Sequence, residues 1–171
     1  MWTSWKFWAV WMIVLGLIIL LSFGFTTDPK IVPSPLMGRL APDFKVNELN
    51  GEQKFSLSEF KGMPIVLNFW ASWCAPCRIE HPILMKLSQK KNLMLLGINF
   101  KDKELQAKTF LSELGNPYDL LAKDKNGKHS VKFGIYGIPE SILINKELLI
   151  IQKFVGPLSV DDYNNIIKII E

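Results

Sequence analysis

The hydrophobic pattern divides the chain into three stretches. From residue 7 to residue 25 the run FWAVWMIVLGLIILLSFGF contains no charge, and a helix rising about 1.5 Å per residue over that length spans the hydrocarbon core of a bilayer. Trp2, Trp5, Trp8 and Trp11 recur every third residue at its start, where amphipathic rings sit at headgroup depth. Residues 1–25 are therefore expected to form one membrane anchor. The competing reading is a cleaved secretory signal, which has a shorter apolar region and a small-x-small cleavage site; Ser22-Phe23-Gly24 is a weak match to one. Lys6 and the α-amino group precede the span while Lys30 and Arg39 follow it, so flanking charge does not set its orientation. Residues 26–38, TTDPKIVPSPLMG, hold three prolines without periodicity and read as an extended tether. Residues 39–171 form the body.

Within the body, residues 44–49 and 54–57 flank Asn50-Gly51, a dipeptide that accepts positive φ in a tight turn, and predict an N-terminal β-hairpin. Residues 64–70, PIVLNFW, have the unbroken apolar character of a fully buried strand. The apolar period then lengthens to helical spacing through Ile79, Ile83, Leu84 and Leu87. Residues 93–100 repeat the strand pattern and 104–114 the helical one, stopped by Gly115-Asn116-Pro117. Strands alternating with helices imply a mainly parallel sheet with helices on both faces. Residues 141–145 and 148–155, with only Lys146 and Glu147 between them, predict an antiparallel hairpin. Ser159 is placed to cap a last helix over 160–170, with Asp161 and Asp162 at its positive end.

Composition narrows the class. Of 171 residues, 49% are apolar and two are cysteine, enough for one packed domain, which excludes a disordered tail, a collagen-like repeat and a multi-disulfide mini-protein. One apolar run also excludes a multi-span membrane protein. The net charge of +4 gives no reason to expect nucleic acid, because Lys101, Lys103, Lys108, Lys123, Lys125, Lys128 and Lys132 are spread along separate segments or interleaved with acids.

The chemistry centres on Cys74-Ala75-Pro76-Cys77, at the junction of the predicted buried strand and the following helix. At a helix N-terminus Cys74 meets unpaired backbone N–H groups and the positive end of the dipole, which favour thiolate over thiol; Cys77 lies within bridging reach. Pro76 sits in the first turn, where its missing N–H costs little. A zinc site needs about four ligands, and only His81 and the distant His129 join the cysteines; His81 reads as a packed or surface residue. Covalent haem attachment would need histidine where Arg78 stands. A purely structural bridge across three residues would restrain an unfolded chain little. One sulfur that attacks and a second that resolves is the reading left, with no bound cofactor and no metal.

The segment NFWASWCAPCRIEHP, residues 68–82, resembles the thioredoxin superfamily. Three further segments, GINFKD (97–102), ELGNPY (113–118) and GIYGIPE (134–140), are similar to the CcmG/DsbE family of membrane-anchored thiol-disulfide proteins of cytochrome c maturation. The resemblance implies a thioredoxin-like α/β fold, with a central mixed sheet flanked by helices, an N-terminal hairpin and one preceding transmembrane helix. It makes Pro139 a cis-proline and places Trp73, Ile138 and Pro139 against the polypeptide substrate. Where thioredoxins carry a strand aspartate this chain has Asn68, which cannot titrate, so Glu80 and Glu140 are expected to tune the catalytic thiols Cys74 and Cys77. Implied partners are apocytochrome c or its maturation proteins, the lipid bilayer, and a membrane thiol reductant of the DsbD/CcdA type. The implied location is the bacterial inner membrane, with the catalytic domain in the periplasm. A general reductase of the TlpA/ResA type is the alternative; a Sco-like copper protein would space its cysteines by three residues. Peroxiredoxins share the Ala41–Phe44 opening, but they need Thr or Ser and Pro where Ala71 and Leu67 stand. The family's glycine-bearing turn is here Asn145-Lys146-Glu147-Leu148, which leaves its geometry open.

Overall fold

The computed structural model describes residues 4–24, 35–49, 51 and 54–171. It divides into two units. The first is helix α1 (Ser4–Gly24), whose stretch Trp5–Ser22 has a mean hydropathy of 2.0 and is long and apolar enough to cross a membrane. Most of the expected tether, and Asn50 of the expected hairpin turn, lie outside the described residues.

The body is built on a seven-stranded sheet. In chain order its elements are β1 (Lys45–Glu48), β2 (Lys54–Ser56), a 3-10 turn (Leu57–Phe60), β3 (Ile65–Trp70), α2 (Ala75–Leu87), β4 (Met94–Phe100), α3 (Glu104–Leu114), β5 (Leu120–Asp124), α4 (Lys128–Lys132), β6 (Glu140–Ile144), β7 (Ile150–Val155) and α5 (Val160–Ile170). The strands lie in the order β2-β1-β5-β4-β3-β6-β7. Only β3–β4 and β4–β5 are parallel; β1–β2, β1–β5, β3–β6 and β6–β7 are antiparallel. The mainly parallel sheet read from the βαβα alternation gives way to the mixed sheet that the resemblance implies. Helical crossovers give parallel neighbours only in the middle, and hairpin ribbons extend both edges in the opposite sense.

Strand β3 is buried along its whole length, and its side chains feed two cores. Val66 and Trp70 point into a cluster with Leu84 and Leu87 of α2, Phe110 and Leu111 of α3 and Ile166 of α5. Ile65, Leu67 and Phe69 point the other way, against Phe44, Phe55 and Phe133. The period of two therefore runs between two apolar interiors, which is why the sequence shows no polar alternation here.

Two elements have no counterpart in the pattern reading. Strand β5 is five residues long, with the half-buried Lys123 among them, and α4 is a helix of five residues entered from Gly127 at φ +72°; both are too short for a periodicity to emerge. The β6–β7 connection is also longer than the two residues expected. It spans Asn145 to Leu149, with Asn145 Oδ1 accepting from the N–H groups of Glu147 at 3.1 Å and Leu149 at 2.8 Å. In the glycine's absence Leu148 takes the left-handed backbone itself, at φ +66°. Helix α5 begins as expected, with Ser159 and Asp162 capping each other's backbone N–H groups.

Gly97 carries a packing role. It sits opposite Asn68 in the β3–β4 register, and a Cβ there would stand 2.8 Å from two carbons of the Tyr118 ring. Only glycine lets that ring lie over β4. Gly97→Ala is expected to destabilise the domain by about 1–3 kcal/mol through overpacking, seen as a lowered midpoint in urea unfolding; an unchanged midpoint would show that the ring moves aside freely.

Candidate active site

The site begins where β3 ends. Two polar anchors fix the chain as it leaves the strand: Asp102, just after β4, accepts from the backbone N–H of Ser72 at 2.6 Å and from its hydroxyl at 2.8 Å, and Trp73 Nε1 donates to the Lys101 carbonyl at 3.3 Å. Cys74 is then the N-cap of α2, and its Sγ accepts the backbone N–H of Cys77 at 3.2 Å. Pro76 falls in the first turn, where no N–H is needed. The two sulfurs are joined as a disulfide, with Cα atoms 5.3 Å apart. Both are largely covered, Cys74 at 4% exposure and Cys77 at 2%. Around them Trp73, Ala75 and Pro76 are exposed, so the approach from solvent is along this edge. A sulfur that accepts a helix N-terminal N–H is also one whose anion that N–H would stabilise.

Behind the sulfurs lies a buried carboxyl. Glu80, three residues after Cys77 and fully enclosed, accepts from Asn68 Nδ2 at 2.8 Å through one oxygen and from the Leu158 N–H at 2.9 Å through the other. Burial pushes its pKa up from 4.5 to about 7, against the pull of those two donors. Asn68 also donates to Ser141 Oγ at 2.9 Å and accepts from the Tyr118 hydroxyl at 2.7 Å. The residue that cannot titrate is therefore the one that holds the residue that can. Burial lowers the pKa of His81; its ring meets Phe110 edge-on and its Nε2 lies 3.1 Å from the Gly115 carbonyl, a packed residue.

On the other side of the cysteines runs the loop before β6. Register pairs Phe69 with Glu140, so the residues just before Glu140 lie beside the end of β3 that leads to Cys74. The Ile138–Pro139 bond is cis, and Ile138 packs against the core cluster that contains both cysteines. Glu140 is buried with Oε1 accepting from the N–H groups of Tyr136 and Gly137, each at 3.1 Å, and Oε2 2.7 Å from Lys153 Nζ. Lys153 also donates to the Gly134 carbonyl at 2.6 Å. Both oxygens of Glu140 are thus committed to holding the loop. Of the predicted residues, Cys74, Cys77 and Glu80 share one helix and one interior, and Ile138 and Pro139 border it.

Sequence reasoning missed three contributors. Asp102 and Tyr118 were legible only as members of family segments, and Lys153 reads as an ordinary strand lysine.

The Redoxin family pattern matches residues 36–167. The chain is 35% identical over 152 residues to the thiol:disulfide interchange protein DsbE of Pseudomonas fluorescens biotype C, covering 85% of each. It is 39% identical over 135 residues to the thiol:disulfide interchange protein HelX of Rhodobacter capsulatus, covering 78% of this chain and 76% of that one. The thioredoxin domain of a thiol-disulfide oxidoreductase from Bacteroides vulgatus superposes with a TM-score of 0.69 at 27% identity, over 81% of this chain and all of that domain. A disulfide at the head of a helix beside a cis-proline loop, and this extent of likeness, lead to one conclusion: the chain belongs to the DsbE/CcmG family of thiol:disulfide interchange proteins and is a thiol-disulfide oxidoreductase.

Proposed function

We propose that this protein is a membrane-anchored reductase of the bacterial periplasm that opens disulfides in apocytochrome c or in the proteins that mature it. The observation that carries the reading is the disulfide at the head of α2, with Cys74 Sγ as the cap of the helix. Residues 1–25 serve as the anchor, 26–38 as the tether and 39–171 as the catalytic domain. Trp73, Ile138 and Pro139 form the rim against which a polypeptide lies, its backbone pairing with that of Ile138.

The chemistry is a two-electron exchange. The Cys74 thiolate attacks one sulfur of the substrate disulfide, forming a mixed disulfide and releasing the first substrate thiolate. Cys77 loses its proton to Glu80 and attacks Cys74 Sγ, which releases the second substrate thiol and leaves the protein oxidised. Glu80 suits this task because a carboxyl that titrates near 7 can both take and return a proton at neutral pH. Two electrons must then come from a donor dithiol, a membrane thiol reductant of the DsbD/CcdA type, since an oxidising compartment holds no reducing thiol pool.

Cys77→Ala in membranes is expected to trap a covalent adduct through Cys74 that reductant releases, and mass spectrometry of the adduct should return a c-type apocytochrome or maturation protein. Recovery of unrelated secreted proteins alone would favour a general reductase instead.

The raised pKa of Glu80 gives a signed pH dependence. Exchange should quicken as pH rises through about 7, as Glu80 becomes a base, and Glu80→Gln should lose that inflection and slow exchange on the order of 100-fold. Thiol titrations that stay unchanged in both Glu80→Gln and Glu140→Gln would refute the assignment. Stability moves the opposite way. Between 4.5 and about 7 the folded chain keeps a proton on Glu80 that the unfolded chain releases, so the oxidised domain should lose on the order of 3 kcal/mol as pH rises across that window. Urea unfolding at pH 5 and pH 8 should show this loss in the wild type and not in Glu80→Gln.

A further inference from the structure

We infer that Tyr118 is a positioning residue of the redox site: its buried hydroxyl locks the Asn68 amide in the orientation that donates to Glu80, and so sets how tightly Glu80 holds its proton. The inference rests on the reading of Glu80 as proton acceptor for Cys77, and extends it to a residue that touches neither sulfur nor substrate.

The geometry allows two arrangements of the amide. In the one observed, Tyr118 Oη donates to Asn68 Oδ1 at 2.7 Å, and Asn68 Nδ2 donates to Glu80 Oε1 at 2.8 Å and Ser141 Oγ at 2.9 Å. Rotating the amide by half a turn would set Oδ1 against the Glu80 oxygen, a contact that exists only if Glu80 carries a proton. The rotated amide would present N–H to the Tyr118 oxygen and strand the phenol proton without an acceptor in a closed interior, where Tyr118 is 6% exposed. The phenol cannot escape by ionising, because burial and the neighbouring Glu80 raise its pKa well above the usual value. Tyr118 is thus a permanent donor, and through the amide it favours the anionic form of Glu80.

The ring is held for this purpose. It stacks on Trp70 with an interplanar angle of 19° and lies in the space that Gly97 leaves open. Other ionisable groups turned to this interior are Cys74, Cys77 and His81, with Tyr163 of α5 packed at its edge. Glu140 neighbours Ser141 on β6 and therefore faces the opposite side of the sheet, where it meets Lys153.

The test is Tyr118→Phe, which keeps the stacking ring and removes only the donor. In the oxidised protein, the side-chain carboxyl carbon shift of labelled Glu80 is followed against pH by NMR. With either amide orientation now open, the Glu80 midpoint should move up by about 0.5 to 1 pH unit, the worth of one hydrogen bond. Site-specific 3-fluorotyrosine at position 118 provides the second variant: it preserves the shape, strengthens the donor and should move the midpoint down. A midpoint that stays in place in either variant overturns the inference. Alkylation of the reduced thiols against pH separates this result from the reading beneath it. If the Glu80 midpoint moves while the thiol profile does not, Tyr118 positions Glu80 as inferred and Glu80 is not the thiol's base; if both move together, the two readings stand together.

Discussion

A helix leaves its first N–H groups without partners, and in this protein the partner at the head of α2 is a sulfur atom. Much else in the domain serves that placement. Strand β3 is buried end to end and fixes where the chain emerges from the sheet; Asp102 seizes the next turn through both the backbone and the hydroxyl of Ser72. Pro76 enters the helix where a missing donor is harmless. The cap is thus delivered at a fixed point beside the cis-proline loop.

Behind the cap the interior holds a carboxyl that an apolar cluster would ordinarily expel. It is retained because each oxygen has a donor, the Asn68 amide on one and the Leu158 N–H on the other, and those donors are not enough to cancel desolvation. That balance gives a carboxyl able to exchange protons near neutrality. Asn68 occupies the strand position that in thioredoxins carries an acid, and the buried carboxyl beside it here stands on the helix.

Two charged struts brace the opposite walls. Asp102 ties the end of β4 to the turn before the cysteines, and the Glu140–Lys153 pair ties the loop before β6 to β7. Lys153 and Glu140 are both nearly excluded from solvent and are joined by further hydrogen bonds to Gly134, Tyr136 and Gly137, which is the condition under which a buried pair is tolerated.

What the sequence determined was whatever is local or periodic. The apolar run of α1, the buried strands, the helices of ten or more residues and the Ser159 cap all follow from spacing along the chain, and the position of Cys74-Ala75-Pro76-Cys77 between strand and helix already fixed its chemistry. The antiparallel joining of each hairpin to the central strands, β5 and α4, and the five-residue turn at Asn145 were not legible, because short elements have no period and the pairing of β1 with β5 and of β6 with β3 is settled between distant segments. Tertiary structure alone decided that Asn68 would serve Glu80, that Tyr118 would reach Asn68 across the space left by Gly97, and that Lys153 would claim Glu140. Those meetings are made across paired strands or between sheet and helix, and no periodicity along the chain announces which polar atoms they bring together.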